Sequence, residues 1–210
     1  MKRIFFTSVM LLLFALPVFT QVQLPAKEPF VAKKWQEFTQ KLLSDLEKGT
    51  EYEKLASEVK IEITNEDTLD ANSDSSLKTI QIDKGRIGLV TNMAQYVAIV
   101  AHEFGHIALD FPLAETYIPA TGDSGVPDVS TDYDLLRKNE KAADEFVVEV
   151  MERNHYDICD QYEGFEKLLE AKGVLSKKEI GPKNKILWER LLIMNDRCSR
   201  KLMFGKSTQN

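Results

Sequence analysis

Two histidines stand four residues apart in Ala101-His102-Glu103-Phe104-Gly105-His106. On an α-helix, side chains at i and i+4 project from one face, one turn apart. Both imidazoles can then reach a single Zn²⁺, at about 2.0–2.1 Å each. Glu103 follows the first histidine and points beside such a metal rather than at it. There it can take a proton from a water whose pKa the metal lowers to about 7. The helix that carries these residues is apolar elsewhere, through Val97, Ile99, Val100, Phe104 and Ile107. An unpaired histidine pair would be costly to bury in that setting. The pattern therefore predicts a zinc site with a general base beside it, against the plainer reading of two partly buried structural histidines.

Zinc in a hydrolytic site needs a third protein ligand and an open fourth position. Leu109 stands where a longer three-histidine motif would place glycine, and no histidine follows it at the required distance. The remaining donors are carboxylates. Glu140 is the best candidate, in Arg137-Lys138-Asn139-Glu140-Lys141-Ala142-Ala143-Asp144. Glu140 and Asp144 share a helical face, and Ala142 and Ala143 let that helix approach the histidine helix closely. Asp144 is then placed to accept the N–H of a ligand imidazole and fix its tautomer. Asp110, Glu115, Asp123 and Asp128 are rival ligands. His155, Tyr117 and Tyr133 are candidate donors to a tetrahedral oxyanion, and spacing does not choose among them.

The elements that must position these groups can be read from periodicity. Val31, Trp35, Phe38, Leu42 and Leu46 recur at helical steps over 31–47, ending near Gly49. Residues 59–64 and 78–83 alternate apolar and polar side chains, which predicts two strands pairing antiparallel across a polar loop. The histidine helix is expected over about 92–109, the Glu140 helix from about 133 to 154, and two more over 161–172 and 183–203. Segment 111–134, rich in Pro, Gly, Asp and Ser, is too long for an ordinary connection, and is read as a lid over the cleft. The expected fold is α+β: a helix-rich domain over 21–210 with a small antiparallel sheet packed on the histidine helix.

Residues 79–85 and 97–107 together resemble the zinc metallopeptidase family of HtpX and the CAAX prenyl proteases, which shows a strand, a Gly turn and a helix with Ala-His-Glu-x-Gly-His. Its second motif, a Glu and an Asp four apart with Arg three before the Glu and Ala before the Asp, is matched by Arg137, Glu140, Ala143 and Asp144. The resemblance covers roughly 59–150 and implies a gluzincin peptidase. It implies His102, His106 and Glu140 as ligands, Glu103 as base and Asp144 as partner of a ligand histidine. The chain departs from that family in lacking the Asn-Ala-Phe segment before the strand, in a short stretch between motifs and in having no membrane spans. The compact spacing and Ala143-Asp144-Glu145-Phe146 also resemble ImmA/IrrE-like metallopeptidases, which are typically cytoplasmic.

Composition bounds the setting. The chain has 210 residues, 27 Lys+Arg against 33 Asp+Glu, and a net charge of −6. That balance argues against nucleic acid as a partner, which would need a basic footprint. Met1-Lys2-Arg3, an apolar run to Phe19 and a polar Thr20-Gln21 read as a signal peptide over 1–20. No later run is long enough to span a bilayer. Export to a periplasm or out of the cell is the expectation, and there Cys159 and Cys198 form either one bridge or two separate buried thiols. Together these features predict an exported zinc endopeptidase acting on protein or peptide substrates. The alternative is a catalytically silent or latent zinc-binding module that binds protein partners.

Overall fold

The computed structural model describes residues 23–110, 115–118, 128–175 and 181–205. The expected signal peptide lies outside the described residues, as does most of the expected lid. Helix α1 (Ala32–Leu46) is followed by a short α2 (Glu53–Glu58) and by strands β1 (Lys60–Thr64), β2 (Ala71–Asp74) and β3 (Thr79–Asp83). A one-and-a-half-turn α3 (Lys84–Leu89) leads into α4 (Met93–Ala108). Two short strands, β4 (Glu115–Ile118) and β5 (Asp128–Thr131), precede α5 (Tyr133–Arg153), α6 (Ile158–Ala171) and α7 (Pro182–Gly205). The architecture is α+β, as the periodicity predicts. None of the described helices is long and apolar enough to cross a membrane.

The sheet differs from expectation in one informative way. Its order is β1-β3-β2, with β1 and β3 parallel and β2 antiparallel to β3. The antiparallel pairing expected for the two alternating segments is therefore wrong. Segment 71–74, Ala-Asn-Ser-Asp, is a third strand inside the stretch expected to be loop, and it makes the hairpin with β3. The turn between them is closed by Asp74, whose carboxylate accepts from the Ser76 hydroxyl and the Leu77 N–H.

Chain 65–70 must then cross the end of β3 to reach the outer edge. Asp83, buried at the end of β3, anchors that crossing by accepting hydrogen bonds from the Thr64 and Thr68 hydroxyls. The Gly85 N–H donates to the Glu66 carbonyl at 3.0 Å. A Cβ on Gly85 would lie 2.3 Å from the Asp67 carbonyl oxygen, so only glycine fits beneath the crossing.

Ile61, Ile63, Ile80 and Ile82 point from the sheet into the main core, with Trp35, Leu42 and Leu43 of α1 and Val97, Val100 and Phe104 of α4. A smaller apolar cluster lies between α6 and α7, around Phe165, Leu169, Leu191 and Met194. There Cys159 of α6 and Cys198 of α7 are joined in a disulfide.

Candidate metal centre

Helix α4 begins on a reciprocal cap: the Asn92 side chain accepts from the Gln95 N–H, and the Gln95 side-chain oxygen accepts from the Thr91 N–H. From there Gln95, Ala98, Ile99, His102, Glu103 and His106 form one stripe, spaced at three and four residues, that lines a cavity of about 420 Å³. Helix α5 crosses α4 at Gly105, where a Cβ would sit 3.3 Å from the Phe146 side chain and 3.4 Å from the Ala143 Cα. Glycine on one helix and alanine on the other bring the backbones together. One turn away on α5, Glu140 and Asp144 meet the histidines.

The four expected groups converge. Nε2 of His102 and Nε2 of His106 are 3.2 Å apart. Glu140 places one carboxylate oxygen 3.3 Å from His102 Nε2 and the other 3.7 Å from His106 Nε2. Four ligands at about 2.0–2.1 Å from a tetrahedral zinc are separated by about 3.3–3.4 Å; the two histidine nitrogens stand close to that spacing, while Glu140 divides its two oxygens between them. Among the described residues, His102, His106 and Glu140 form the cluster whose ligand atoms all lie close enough together to hold a metal ion. Asp144 Oδ1 lies 3.0 Å from Nδ1 of His102, the outer nitrogen, which leaves Nε2 turned inward.

Glu103, buried on the same stripe, accepts a 3.1 Å hydrogen bond from the Ser73 hydroxyl. Ser75 donates to the His106 carbonyl at 3.1 Å. Both serines come from the β2 hairpin, so the strand absent from the expectation is the one against the site. Strand β3 is the central strand of the sheet, so it is β2 that forms the edge on this side.

The remaining candidates are elsewhere. His155 follows the far end of α5 and lines a separate shallow depression with Glu152, Tyr156 and Ile158, so it does not join the metal cluster. Tyr133 is exposed at the start of α5. Asp110, just past α4, is exposed and lies outside the cavity. Glu115, Tyr117 and Asp128 lie on the β4–β5 pair, where the backbone alone is described, and Asp123 is outside the described residues.

Arg190 is the residue that motif reasoning missed. It reaches in from α7, with Nε 2.8 Å from Asp144 Oδ2 and Nη2 2.8 Å from Asp144 Oδ1, while Nη1 pairs with Glu140. Nη2 also lies 3.3 Å from His102 Nε2, and the guanidinium carbon stands 4.7 Å over the Phe165 ring. A sequence signal for it exists. Arg190 shares the apolar stripe of α7 with Ile186, Leu187, Leu191 and Met194, a core position for which a charge needs a buried counter-charge.

Titration behaviour follows this packing. Burial and Arg190 both oppose charge on His102, yet Asp144 and Glu140 outweigh them and raise its pKa to about 9. Burial and the neighbouring His102 push His106 down to about 4, against the pull of Glu140. Burial opposes ionisation of Glu140 and Asp144, but Arg190 and His102 hold both below the usual carboxylate range. Burial raises Glu103, in part countered by His102. In the metal-free site one imidazolium and one guanidinium thus face two carboxylates, and the histidine proton must leave when a metal enters. No protein-family model, curated protein or solved structure matches this chain.

Proposed function

We propose that the protein is a zinc-dependent endopeptidase of the gluzincin type, similar in its site to the HtpX and CAAX prenyl protease family. The observation that carries this reading is the convergence of one ligand atom each from His102, His106 and Glu140, all within 4.8 Å of one another, with Glu103 on the adjoining position of the same helix face. Two imidazoles and a carboxylate are a donor set suited to zinc. When bound, zinc supplies Lewis acidity that polarises a peptide carbonyl and makes water acidic enough to deprotonate near neutral pH.

The chain's own groups do the rest. Asp144 holds His102 with Nε2 inward. Glu103, steered by Ser73, takes the proton from the attacking water and returns it to the departing amine nitrogen. The outer edge strand β2 borders the cavity, and an extended substrate can lie beside it as a further strand. Arg190 is a positioning residue: its fork fixes Asp144 and steadies Glu140. Export to a periplasm or beyond is supported by the basic-then-apolar start and by the Cys159–Cys198 disulfide, since such bonds persist in oxidising compartments.

The decisive experiment measures zinc per chain and casein cleavage together. Wild type is expected to hold one zinc, Glu140→Ala to lose it, and Glu103→Gln to keep it while cleavage falls by about 10²–10⁴. Undiminished zinc in Glu140→Ala overturns the ligand set. A second reading, a latent or silent zinc-binding module, draws on the closeness of Arg190 to His102 Nε2. It predicts full zinc without cleavage of any peptide library.

A further inference from the structure

The cavity at the metal cluster contains more cationic groups than the metal chemistry uses. Arg190 is taken up by Asp144 and Glu140, and Lys172, at the rim, pairs with Asp70 at 2.6 Å. Arg86 is different. It projects from α3 into the wall of the same cavity, is 9% exposed, and makes no hydrogen bond or ion pair with any described residue. Burial opposes its charge most, Glu103 favours it, Arg190 disfavours it, and Asp70 adds a weaker favourable influence.

A buried guanidinium with five donors and no acceptor is costly. Burial pulls its pKa down to about 10, which still leaves it charged at neutral pH. The same wall holds one enclosed donor, the buried Gln95 Nε2, which finds no acceptor among the described residues. Ala98, Ile99, Phe165 and Leu168 also line the cavity. The chamber therefore combines the candidate metal cluster, apolar lining and an arginine with no hydrogen-bonded partner among the described residues.

We propose that Arg86 is a substrate anchor, a specificity-determining residue that receives a carboxylate of the bound peptide while an apolar side chain fills the space lined by Ile99, Phe165 and Leu168. This deepens the peptidase reading and rests on it. An arginine fork matches a carboxylate in two parallel hydrogen bonds, and such charge-assisted pairs are strong when water is excluded. The carboxylate is an acidic side chain of the substrate or, where the scissile bond lies near the end of a peptide, its C-terminus, and both offer the same acceptor pair.

The first measurement needs no catalysis. Isothermal titration of the metal-free full-length protein with 3-phenylpropanoate, and separately with 3-phenylpropanamide, reads the anchor directly. The acid is expected to bind about tenfold or more tightly than the amide, and Arg86→Met to erase that difference. Equal binding of the acid by wild type and Arg86→Met overturns the proposal, whether or not the protein is a peptidase. Arg86→Met is also expected to melt no lower than wild type, because no hydrogen bond is lost and a desolvated charge is removed. A clear drop in Tm assigns Arg86 a structural role and overturns the anchor.

In the zinc-loaded enzyme, peptide pairs separate the two sources of the carboxylate. A free C-terminus against its amide tests one, and an internal Glu against Gln tests the other. The expected result is a rise in KM for one carboxylate-bearing peptide in Arg86→Met, with its neutral counterpart unaffected and kcat retained. An equal loss of kcat for every peptide identifies Arg86 with oxyanion stabilisation and overturns the anchor. A wild type that binds the acid through Arg86 but cleaves nothing leaves the anchor standing and removes the peptidase reading.

Discussion

At the level of single residues, the candidate metal site is a balance of buried charges in which Arg190 is the largest stabilising partner of Glu140 and Asp144. Its guanidinium is 11% exposed and faces carboxylates at 18% and 6%. Removing one member of such a group leaves the others buried and uncompensated, at a cost of about 3–5 kcal/mol. Urea unfolding of Arg190→Met in the presence of chelator is therefore expected to show a loss of that size. Arg190→Lys is expected to recover little of it, since an ammonium cannot span Asp144 and Glu140 as a fork does. If zinc binds as proposed, about a hundredfold excess over its Kd is expected to restore roughly 2.7 kcal/mol of stability. If chelated Arg190→Met unfolds like wild type, the arginine is a bystander. His102, Glu103, His106, Glu140 and Asp144 were legible in the sequence because helical spacing is itself geometry. Arg190 lies 46 positions from Asp144, and its only local sign is a charge on an apolar stripe.

At the level of elements, the five long helices are readable to within a few residues because their apolar period is long and regular, whereas α2 and α3, each six residues, are too short to show one. The sheet is not readable in this way, and the cause is specific. Alternation identified β1 and β3, but Ala71-Asn72-Ser73-Asp74 has no β-branched or aromatic residue. It is a strand through its pairing with β3 and its contact with α4, both tertiary facts. Missing it turned a three-strand crossing into a simple hairpin and reversed the sense of β1 against β3.

Gly85 is the checkable residue of that crossing. Gly85→Ala drives a methyl group to 2.3 Å from the Asp67 carbonyl oxygen, and a cost of about 1–3 kcal/mol is expected from overpacking. Gly88, in the same helix, has nothing within 4 Å of its Cβ position. Gly88→Ala should be neutral or stabilising by up to about 1 kcal/mol. Thermal melts of the pair decide the matter: similar effects at the two positions would mean that the crossing loop does not rest on Gly85.

At the level of the whole molecule, two apolar clusters divide the work. The large one fixes the sheet and α4, hence both histidines and Glu103; the small one fixes α6 and α7, hence Arg190. The same two helices are cross-linked: Cys198 stands two helical turns beyond Arg190 on α7, and its partner Cys159 opens α6. The cysteine count alone left bridge and free thiols equally open, since pairing depends on how two helices 39 positions apart in sequence come to lie side by side. A cross-link closing a loop of that length removes freedom chiefly from the unfolded chain, for about 2–4 kcal/mol.

Because the small cluster has few apolar partners of its own, its loss should be local as well as global. Reduction, or the Cys159→Ser and Cys198→Ser pair, is expected to lower stability by that amount and to speed amide exchange in α6 and α7 ahead of α4. Freed from its tether, α7 then holds Arg190 less firmly against Asp144. Zinc affinity should change in the reduced protein and stay constant in Arg190→Met on reduction, since that variant has no fork left to misplace. Uniform exchange across α4, α6 and α7 on reduction would show that the two clusters unfold as one unit and that the disulfide has no particular claim on the metal site.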